Sequence, residues 1–432
     1  MRRNRAGRRA SRAAVAVAAV TGLAALAAGV PHTAAGAATR HHAPPSGAVV
    51  SEWLGTVTGT VDSEGKVIAP EEMVWHAFVS TAVYNAVVGI EGRYEPYRGG
   101  GHGPRTASSE AAAAAAAYRV LRLNFPAAAP RLRKLYAKSL ARVPDGRAEN
   151  EGVAFGARAA DHVLALRAGD GRGASVPFTA YPAPGVWRPT QPAHQRFDSA
   201  WLGRLRPMLL RSPDQFRPPP PPLLTSARYA RDLAEVREYG AGTGSRRTAA
   251  QTDTALFFSN PDIPYALGDH AARHRLDIVD TARLYAAANT TQLDAVITAW
   301  DAKLHYGTWR PITAIRQANL DGNPATRTDP HWEPLLPTPA HPDYLSGHAA
   351  SGGALMRTVT GLLGTSRVDL RVLSRRTGAT RHYHYARDYN RDVVDARVWG
   401  GIHTRTADTV GNEVGRQLSA WALERYFRPV RA

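Results

Sequence analysis

Apolar residues at helical spacing recur along most of this chain, whereas strand-like alternation is scarce. Apolar positions three and four residues apart share one face of an α-helix, and strict alternation is typical of strands. The strongest single helix signal is the run of seven alanines at Ala111–Ala117, because alanine has the highest helix propensity. The sequence therefore predicts a mainly α fold.

The helical pattern falls into two groups separated by a proline-rich stretch. The first group is expected at 70–89, 110–124, 130–143 and 147–167. The second group is expected at 226–239, 248–258, 281–288, 291–306, 346–363 and 408–427. Residues 170–225 lie between them and combine many prolines with frequent Trp, Phe and Leu. This composition predicts an ordered, extended segment that wraps over the helices.

The first 37 residues have the three-part layout of an export signal. Six arginines without an acid precede a small, apolar stretch, and Ala35-Gly36-Ala37 offers a cleavage site. The pair Arg8-Arg9 leaves both the general and the twin-arginine export routes open. No later run is long and uncharged enough to span a bilayer, so we expect a secreted protein without a stable membrane anchor. The domain assignment is a signal at 1–37, an N-terminal helical half with the wrap at 38–225, and a C-terminal helical half at 226–432.

Composition excludes several classes of function. The chain has no cysteine, which removes disulfides, thiolate metal sites and thiol nucleophiles. Its net charge of +18 would suit a polyanion, but six of these charges belong to the predicted signal. No nucleic-acid-reading motif accompanies the remaining charge, so we expect no nucleic acid partner. Only four of the 54 basic residues are lysine, a skew that is typical of high-GC coding.

Three segments of the second half carry groups that suit an oxyanion. In the first, Lys303 ends a predicted helix and Arg310 follows seven residues later, just before Pro311. Two cations at a helix end can converge on one anion, although this segment alone favours two ordinary surface cations. In the second, Ser346, Gly347 and His348 open a helix, where free backbone N–H groups attract anions. An ordinary helix cap with a core histidine remains open for this segment.

The third segment, 396–405, places two glycines between Arg397 and His403, again just before a long helix. Arg397 can bind a tetrahedral oxyanion through two donors, and His403 can offer a neutral imidazole nitrogen. Together the three segments supply three cations, a hydroxyl, a backbone N–H and two histidines. This set predicts an oxyanion cradle with one acid/base and one nucleophile or ligand.

The patterns K-x6-R-P, S-G-H and R-x5-H resemble the three-part signature of the vanadium-dependent haloperoxidases and the related type 2 phosphatidic acid phosphatases. WDAKLHYGTWRPITAI, PTPAHPDYLSGH and SPDQFRPPPPP are similar to bacterial secreted members of the haloperoxidase branch. The resemblance covers about residues 50–427 and is most specific at 281–415. It implies helical bundles of the haloperoxidase and acid phosphatase type, joined by long proline-rich loops.

The resemblance also implies a role for each matching residue. His403 coordinates vanadate, while Lys303, Arg310 and Arg397 balance the charge on its oxygens. The Ser346 hydroxyl and the Gly347 N–H donate hydrogen bonds, and His348 acts as acid/base. The implied reaction oxidises halide with hydrogen peroxide to hypohalous acid, which halogenates small organic compounds. His341 resembles the residue found in the bromoperoxidase type, which favours bromide over chloride.

Two other functions remain open from the sequence. The same cradle suits phosphate, and an acid phosphatase would use His403 as nucleophile with His348 protonating the leaving group. A basic secreted protein that binds polyanions without catalysis is the second alternative. The chain also departs from the family pattern at Leu345, Ala396 and Ala407, where Pro, Ser and Asp are usual. With Asp408 one position after the expected acid, the group that orients His403 stays undetermined.

Two short motifs favour ordinary structural roles. The glycines at 240–244 lack the preceding strand and the Gly-Lys-Ser/Thr ending of a phosphate loop, so a plain loop is expected. His382-Tyr383-His384-Tyr385 could bind a metal, but the pattern favours a short strand or turn facing solvent.

Overall fold

A mainly α architecture is confirmed by the computed structural model, which describes residues 44–63, 69–190 and 192–430. Pro44–Ala432 form one compact unit. The predicted export signal at 1–37 lies outside the described residues. The division of the remaining chain at residue 226 stays a prediction.

Five helices make up the N-terminal part of the described chain. They are α1 (Ala48–Ser63), α2 (Ala69–Glu91), α3 (Ser109–Asn124), α4 (Ala129–Leu140) and α5 (Arg147–Leu166). The alanine run lies in α3 and is almost wholly buried, since small side chains let neighbouring helices approach closely. The sequence missed α1 and placed the end of α4 three residues too late, at Val143.

One expectation about membrane spans was wrong. Pro70–Glu91 is long and apolar enough to cross a bilayer, with a mean hydropathy of 1.4. However, 89% of the most apolar 18-residue portion of this stretch is buried inside the protein, as expected for the central helix of a folded core. Its apolar character on all sides therefore reflects neighbouring helices on all sides.

The proline-rich stretch is an ordered wrap, as predicted. Apart from a single 3₁₀ turn at Ala200–Arg204, its described residues have little regular structure. The Asp294 carboxylate accepts hydrogen bonds from the backbone N–H groups of Met208, Leu209 and Leu210 at 2.7–2.9 Å. Further along, Arg217 forms a bidentate salt bridge with Asp301: its Nε and Nη2 donate to the two carboxylate oxygens at 2.6 and 2.8 Å. These buried carboxylates fix the wrap to the long helix that precedes the site.

Eight helices make up the C-terminal part of the described chain. They are α6 (Ala227–Tyr239), α7 (Ala249–Phe257), α8 (Ile263–Arg273), α9 (Ile278–Tyr306), α10 (Pro311–Arg316), α11 (Gly347–Leu363), α12 (Ala386–Trp399) and α13 (Arg405–Leu423). The sequence missed α8, α10 and α12. It also placed the start of α13 at Asp408, three residues too late, because Thr404 is the capping residue.

The helices predicted at 281–288 and 291–306 are one continuous helix, α9. Asn289, Thr290 and Thr291 interrupt the apolar pattern but are buried within it. The Thr290 and Thr291 hydroxyls donate to the carbonyls four residues back, at 2.6 and 2.8 Å. Each polar side chain is thus satisfied inside the helix, which removes the cost of its burial.

A small antiparallel sheet lies beside α8. Its strands are β1 (Pro261–Asp262), β2 (Arg367–Ser374) and β3 (Thr380–Tyr385), in that order across the sheet. The histidines of the HYHY motif lie on β3 and face outward, as the sequence suggested.

Close packing of α11 against α13 sets the geometry of the site. A Cβ at Gly353 would lie 2.1 Å from the Asn412 carbonyl, and one at Gly415 would lie 2.0 Å from the Ala350 carbonyl. Glycine at both positions lets the two helix backbones touch. The two N-termini are joined as well, since the Ser346 N–H donates to the Ala407 carbonyl at 3.1 Å.

Candidate active site

Lys303 lies in the last turn of α9, and Gly307 ends that helix in the left-handed conformation. The lysine is fully buried. Its ammonium donates to the carbonyl of Pro342 at 2.5 Å and to that of Asp343 at 3.0 Å. The side chain therefore ties the end of α9 to the loop that leads into α11.

Arg310 precedes α10 and is also fully buried. Its Nε donates to the His341 carbonyl at 2.6 Å, and its Nη1 donates to the Ile402 carbonyl at 2.5 Å. The same guanidinium lies 2.8 Å from Nδ1 of His341 and 3.2 Å from Nε2 of His403. Arg310 thus connects its own segment to the loop before Ser346 and to the loop before α13.

Ser346 and Gly347 begin α11, as predicted. Ser346 is the capping residue, and its hydroxyl accepts the Ala349 N–H at 3.4 Å. A Cβ at Gly347 would lie 2.7 Å from the Trp300 ring, so only glycine fits there. The next residue, His348, is partly buried, and the charges of Arg397, Arg310 and Lys303 all act on its ring.

Arg397 lies in the last turn of α12 and is only 3% exposed. Its Nη1 donates one long hydrogen bond, 3.4 Å, to the Phe258 carbonyl. Its Nε has no hydrogen-bond partner among the described residues. Because a guanidinium has five donors and unpaired buried donors cost free energy, this arginine is prepared to bind an anion.

The acid that orients His403 is Asp343, a residue that was not predicted from the sequence. Its Oδ1 lies 2.6 Å from Nδ1 of His403, and its Oδ2 accepts the Thr404 hydroxyl at 2.7 Å. A carboxylate only accepts, so Nδ1 carries the proton and Nε2 keeps its lone pair. The available signal was its place three residues before Ser346, inside a segment already singled out.

Asp408 is buried nearby. Neither of its carboxylate oxygens has a hydrogen-bond partner among the described residues. Burial raises its pKa well above the usual value, although the nearby Ser346 hydroxyl and Arg397 oppose this. Ala407, where the family pattern has an acid, is fully buried among apolar side chains. Ala407 therefore cannot orient His403, and the carboxylate that contacts His403 comes from Asp343 on another loop.

Burial and mutual repulsion hold the site's bases neutral. Burial lowers the pKa of His341, His348 and His403 well below its usual value, and the neighbouring cations lower it further. Burial also lowers the pKa of Arg310 and of Arg397 to about 10. A bound anion would relieve this repulsion, which is the electrostatic condition for tight oxyanion binding.

Every site residue predicted from the sequence lies in this region. Lys303 contacts the loop that contains His341, and Arg310 contacts both this loop and the one that contains His403. The remaining predicted residues lie at helix ends beside them: Ser346, Gly347, His348 and Arg397. Trp300 was also missed: its ring packs 4.7 Å from that of His341 and 5.6 Å from the Lys303 ammonium.

Comparisons with known proteins point to one family. Residues 283–432 match the family model described as the VCPO second helical-bundle domain. Vanadium chloroperoxidase of Curvularia inaequalis is 33% identical over 107 residues, which is 22% of this chain and 17% of that protein. The chain thus matches about a sixth of the length of this relative.

Solved structures share the fold over most of the chain. A bacterial vanadium-dependent iodoperoxidase superposes with a TM-score of 0.75 at 23% identity, covering 90% of this chain and 99% of that one. A holo-type bacterial vanadium-dependent chloroperoxidase superposes with a TM-score of 0.69 at 19% identity, covering 83% and 92% of the two chains.

Proposed function

We propose that this chain is a vanadate-dependent haloperoxidase, because residues 283–432 match the family model described as the VCPO second helical-bundle domain. It oxidises halide with hydrogen peroxide to hypohalous acid, which halogenates small organic compounds. The observation that carries the proposal is the Arg397 guanidinium, which is buried with its Nε unpaired among the described residues, in a site that holds two further buried cations. This arrangement favours an added anion.

The residues present fit vanadate. Lys303, Arg310 and Arg397 offer cationic donors to its oxygens, and the Ser346 hydroxyl and Gly347 N–H offer neutral ones. His403 offers the lone pair of Nε2, since Asp343 holds the proton on Nδ1. When bound, vanadate supplies an electrophilic centre that activates hydrogen peroxide toward attack by halide, without a change in its own oxidation state.

The chain's own residues supply the proton handling. Formation of hypohalous acid and water from peroxide and halide consumes one proton. His348 is neutral, partly exposed and surrounded by the same cations. An anion in the cradle raises the proton affinity of this imidazole, so His348 takes a proton from solvent or peroxide and returns it to the departing oxygen.

Bromide is the proposed halide in preference to chloride. His341 supports this choice, because a histidine at this position resembles the bromoperoxidase type; its ring contacts Arg310 and Trp300. The ratio of kcat/KM for bromide to that for chloride measures the preference. A ratio below one would reject it, and the His341→Ala variant tests whether this ring causes it.

The assay uses purified protein loaded with orthovanadate, with bromination of a phenolic indicator by bromide and hydrogen peroxide as the readout. Bromination that requires vanadate and disappears in His403→Ala supports the proposal. The matched control is His305→Ala, an exposed histidine on the last turn of α9 that should leave the rate unchanged.

An acid phosphatase is the second candidate, and the geometry of His403 favours it specifically. A neutral imidazole with a carboxylate on Nδ1 is a suitable nucleophile toward phosphorus at Nε2. Hydrolysis of p-nitrophenyl phosphate without vanadate, in the absence of bromination, would establish this function instead. Neither activity would leave a basic polyanion-binding protein.

We also propose that the protein is secreted after removal of residues 1–37. The six arginines and the A-x-A site support this, as described above. Recovery from the culture medium with a new N-terminus after Ala37 is expected. Replacing Arg8-Arg9 by lysines blocks export only if the twin-arginine route is used.

A further inference from the structure

A second cluster of histidines lies on the small sheet, on elements that supply none of the oxyanion site's side chains. His382 and His384 are exposed on β3, while Tyr383 between them is buried. Alternate residues of a strand share one face, so both imidazoles project outward together. Their ring centroids lie only 4.0 Å apart.

A bulge in the neighbouring strand brings a carboxylate to this pair. The register of β2 against β3 shifts between Arg367 and Leu370, and Asp369 in the bulge has a φ of 44°. Bulges redirect side chains, and aspartate accepts the left-handed conformation better than most residues. As a result, Oδ1 of Asp369 lies 2.5 Å from Nε2 of His382. Ligand atoms of Asp369, His382 and His384 all lie within 4.8 Å of one another.

Groups at the end of α8 hold this carboxylate from its other side. Nε2 of His274 lies 2.7 Å from Oδ2 of Asp369, and Nη1 of Arg273 donates to the same oxygen at 2.5 Å. These contacts fix the orientation of the carboxylate, as the partners of metal ligands usually do.

We propose that Asp369, His382 and His384 form a binding site for a divalent late first-row cation, specifically Zn²⁺. Two imidazole nitrogens and one carboxylate oxygen are the donor set that zinc accepts, with a fourth position left for water. The site is exposed and needs no movement of the core to be filled. Arg273 and His274 act as the outer partners that hold Asp369, and none of these residues belongs to the oxyanion cradle.

The alternative is a plain surface ion-pair cluster, and calorimetry with zinc chloride separates the two. Protein without a polyhistidine tag, dialysed against chelator, should bind one Zn²⁺ per chain. His382→Gln and His384→Gln should each weaken binding by at least about tenfold, since a ligand is lost. His331→Gln, an exposed histidine on a loop outside the cluster, is the matched control and should bind as the wild type does.

Two further measurements keep the proposal testable if a hairpin variant folds poorly. Co²⁺ added to the wild type should give visible absorption bands from ligation, and excess Zn²⁺ should remove them. His403→Ala should retain zinc binding, which separates this site from the oxyanion cradle. Unchanged affinity in His384→Gln, loss of zinc in His403→Ala, or the absence of saturable binding would each overturn the proposal.

Discussion

Replacing Asp343 by asparagine tests the assignment that matters most for the cradle. The carboxylate lies 2.6 Å from Nδ1 of His403 and is 3% exposed. Asparagine keeps the shape but not the charge, and its amide can donate to Nδ1, which would move the imidazole proton to Nε2. Loss of such a partner weakens binding at a ligating histidine by about 10–100-fold, or about 1.4–2.8 kcal/mol.

The same substitution also removes a negative charge, which strengthens anion binding. This electrostatic effect must be separated from the loss of the His403 partner, which weakens it. Oδ1 of Asp343 lies 4.0 Å from Nη1 of Arg310, and two unit charges at that distance interact by about 4 kcal/mol at an effective dielectric of 20. Removing the negative charge therefore favours any anion in the site. Sulfate responds only to this charge, whereas vanadate responds also to the lone pair of His403.

Calorimetric titration of the unloaded protein with orthovanadate and with sulfate distinguishes these effects. In Asp343→Asn the ratio of vanadate affinity to sulfate affinity should fall by about 10–100-fold, and the bromination rate should fall with it. Asp294→Asn, which alters a fully buried carboxylate that anchors the wrap, should lower stability and leave the ratio unchanged. An unchanged ratio in Asp343→Asn would refute the proposed role of Asp343.

Three further predictions follow from burial and charge in the site. Arg397→Met should abolish vanadate binding in titration yet raise the unfolding free energy of the unloaded protein by about 0.5–2 kcal/mol, because a buried cation with only one long hydrogen bond is removed. Gly347→Ala should lower the unfolding free energy by about 1–3 kcal/mol and weaken vanadate binding, since the new methyl group meets the Trp300 ring. A variant as stable as the wild type would contradict this close contact. In urea titrations, stability of the unloaded protein should fall as pH drops below about 6.5, by up to about 1.4 kcal/mol per pH unit for each buried site histidine, because the unfolded chain binds these protons and the folded chain does not. His348→Gln should flatten that slope.

Much of the fold followed from local pattern, and its failures have physical causes. The alanine run marked α3, and the helices predicted at 226–239, 248–258 and 346–363 are present, each starting one residue later because its first predicted residue is the cap. The polar residues Asn289 and Thr290 predict a break between two helices, because both have a lower helix propensity than the alanines before them. In the structure they are satisfied inside a buried helix, and tertiary packing decides the outcome.

The site was predictable as a set of groups but not as a geometry. Lys303, Arg310, Arg397 and His403 could be named because their spacing is a recognisable pattern. Asp343 could not be assigned, since its contact with His403 joins loops 60 residues apart. The same limit applies to Asp369, which reaches the exposed histidines only through a strand irregularity.

The three cations differ in how much they contribute to the structure of the surrounding loops. Lys303 and Arg310 donate to carbonyls of the loops that build the site, so replacing either one also releases the backbone. Arg397 carries almost none of this structural duty. The three cations therefore differ in how easily they can be lost during evolution. A descendant that no longer binds an anion can lose Arg397 at little cost in stability. Selection for a folded chain retains Lys303 and Arg310. Among related sequences, loss at this position alone would mark lineages that have left catalysis but kept the architecture.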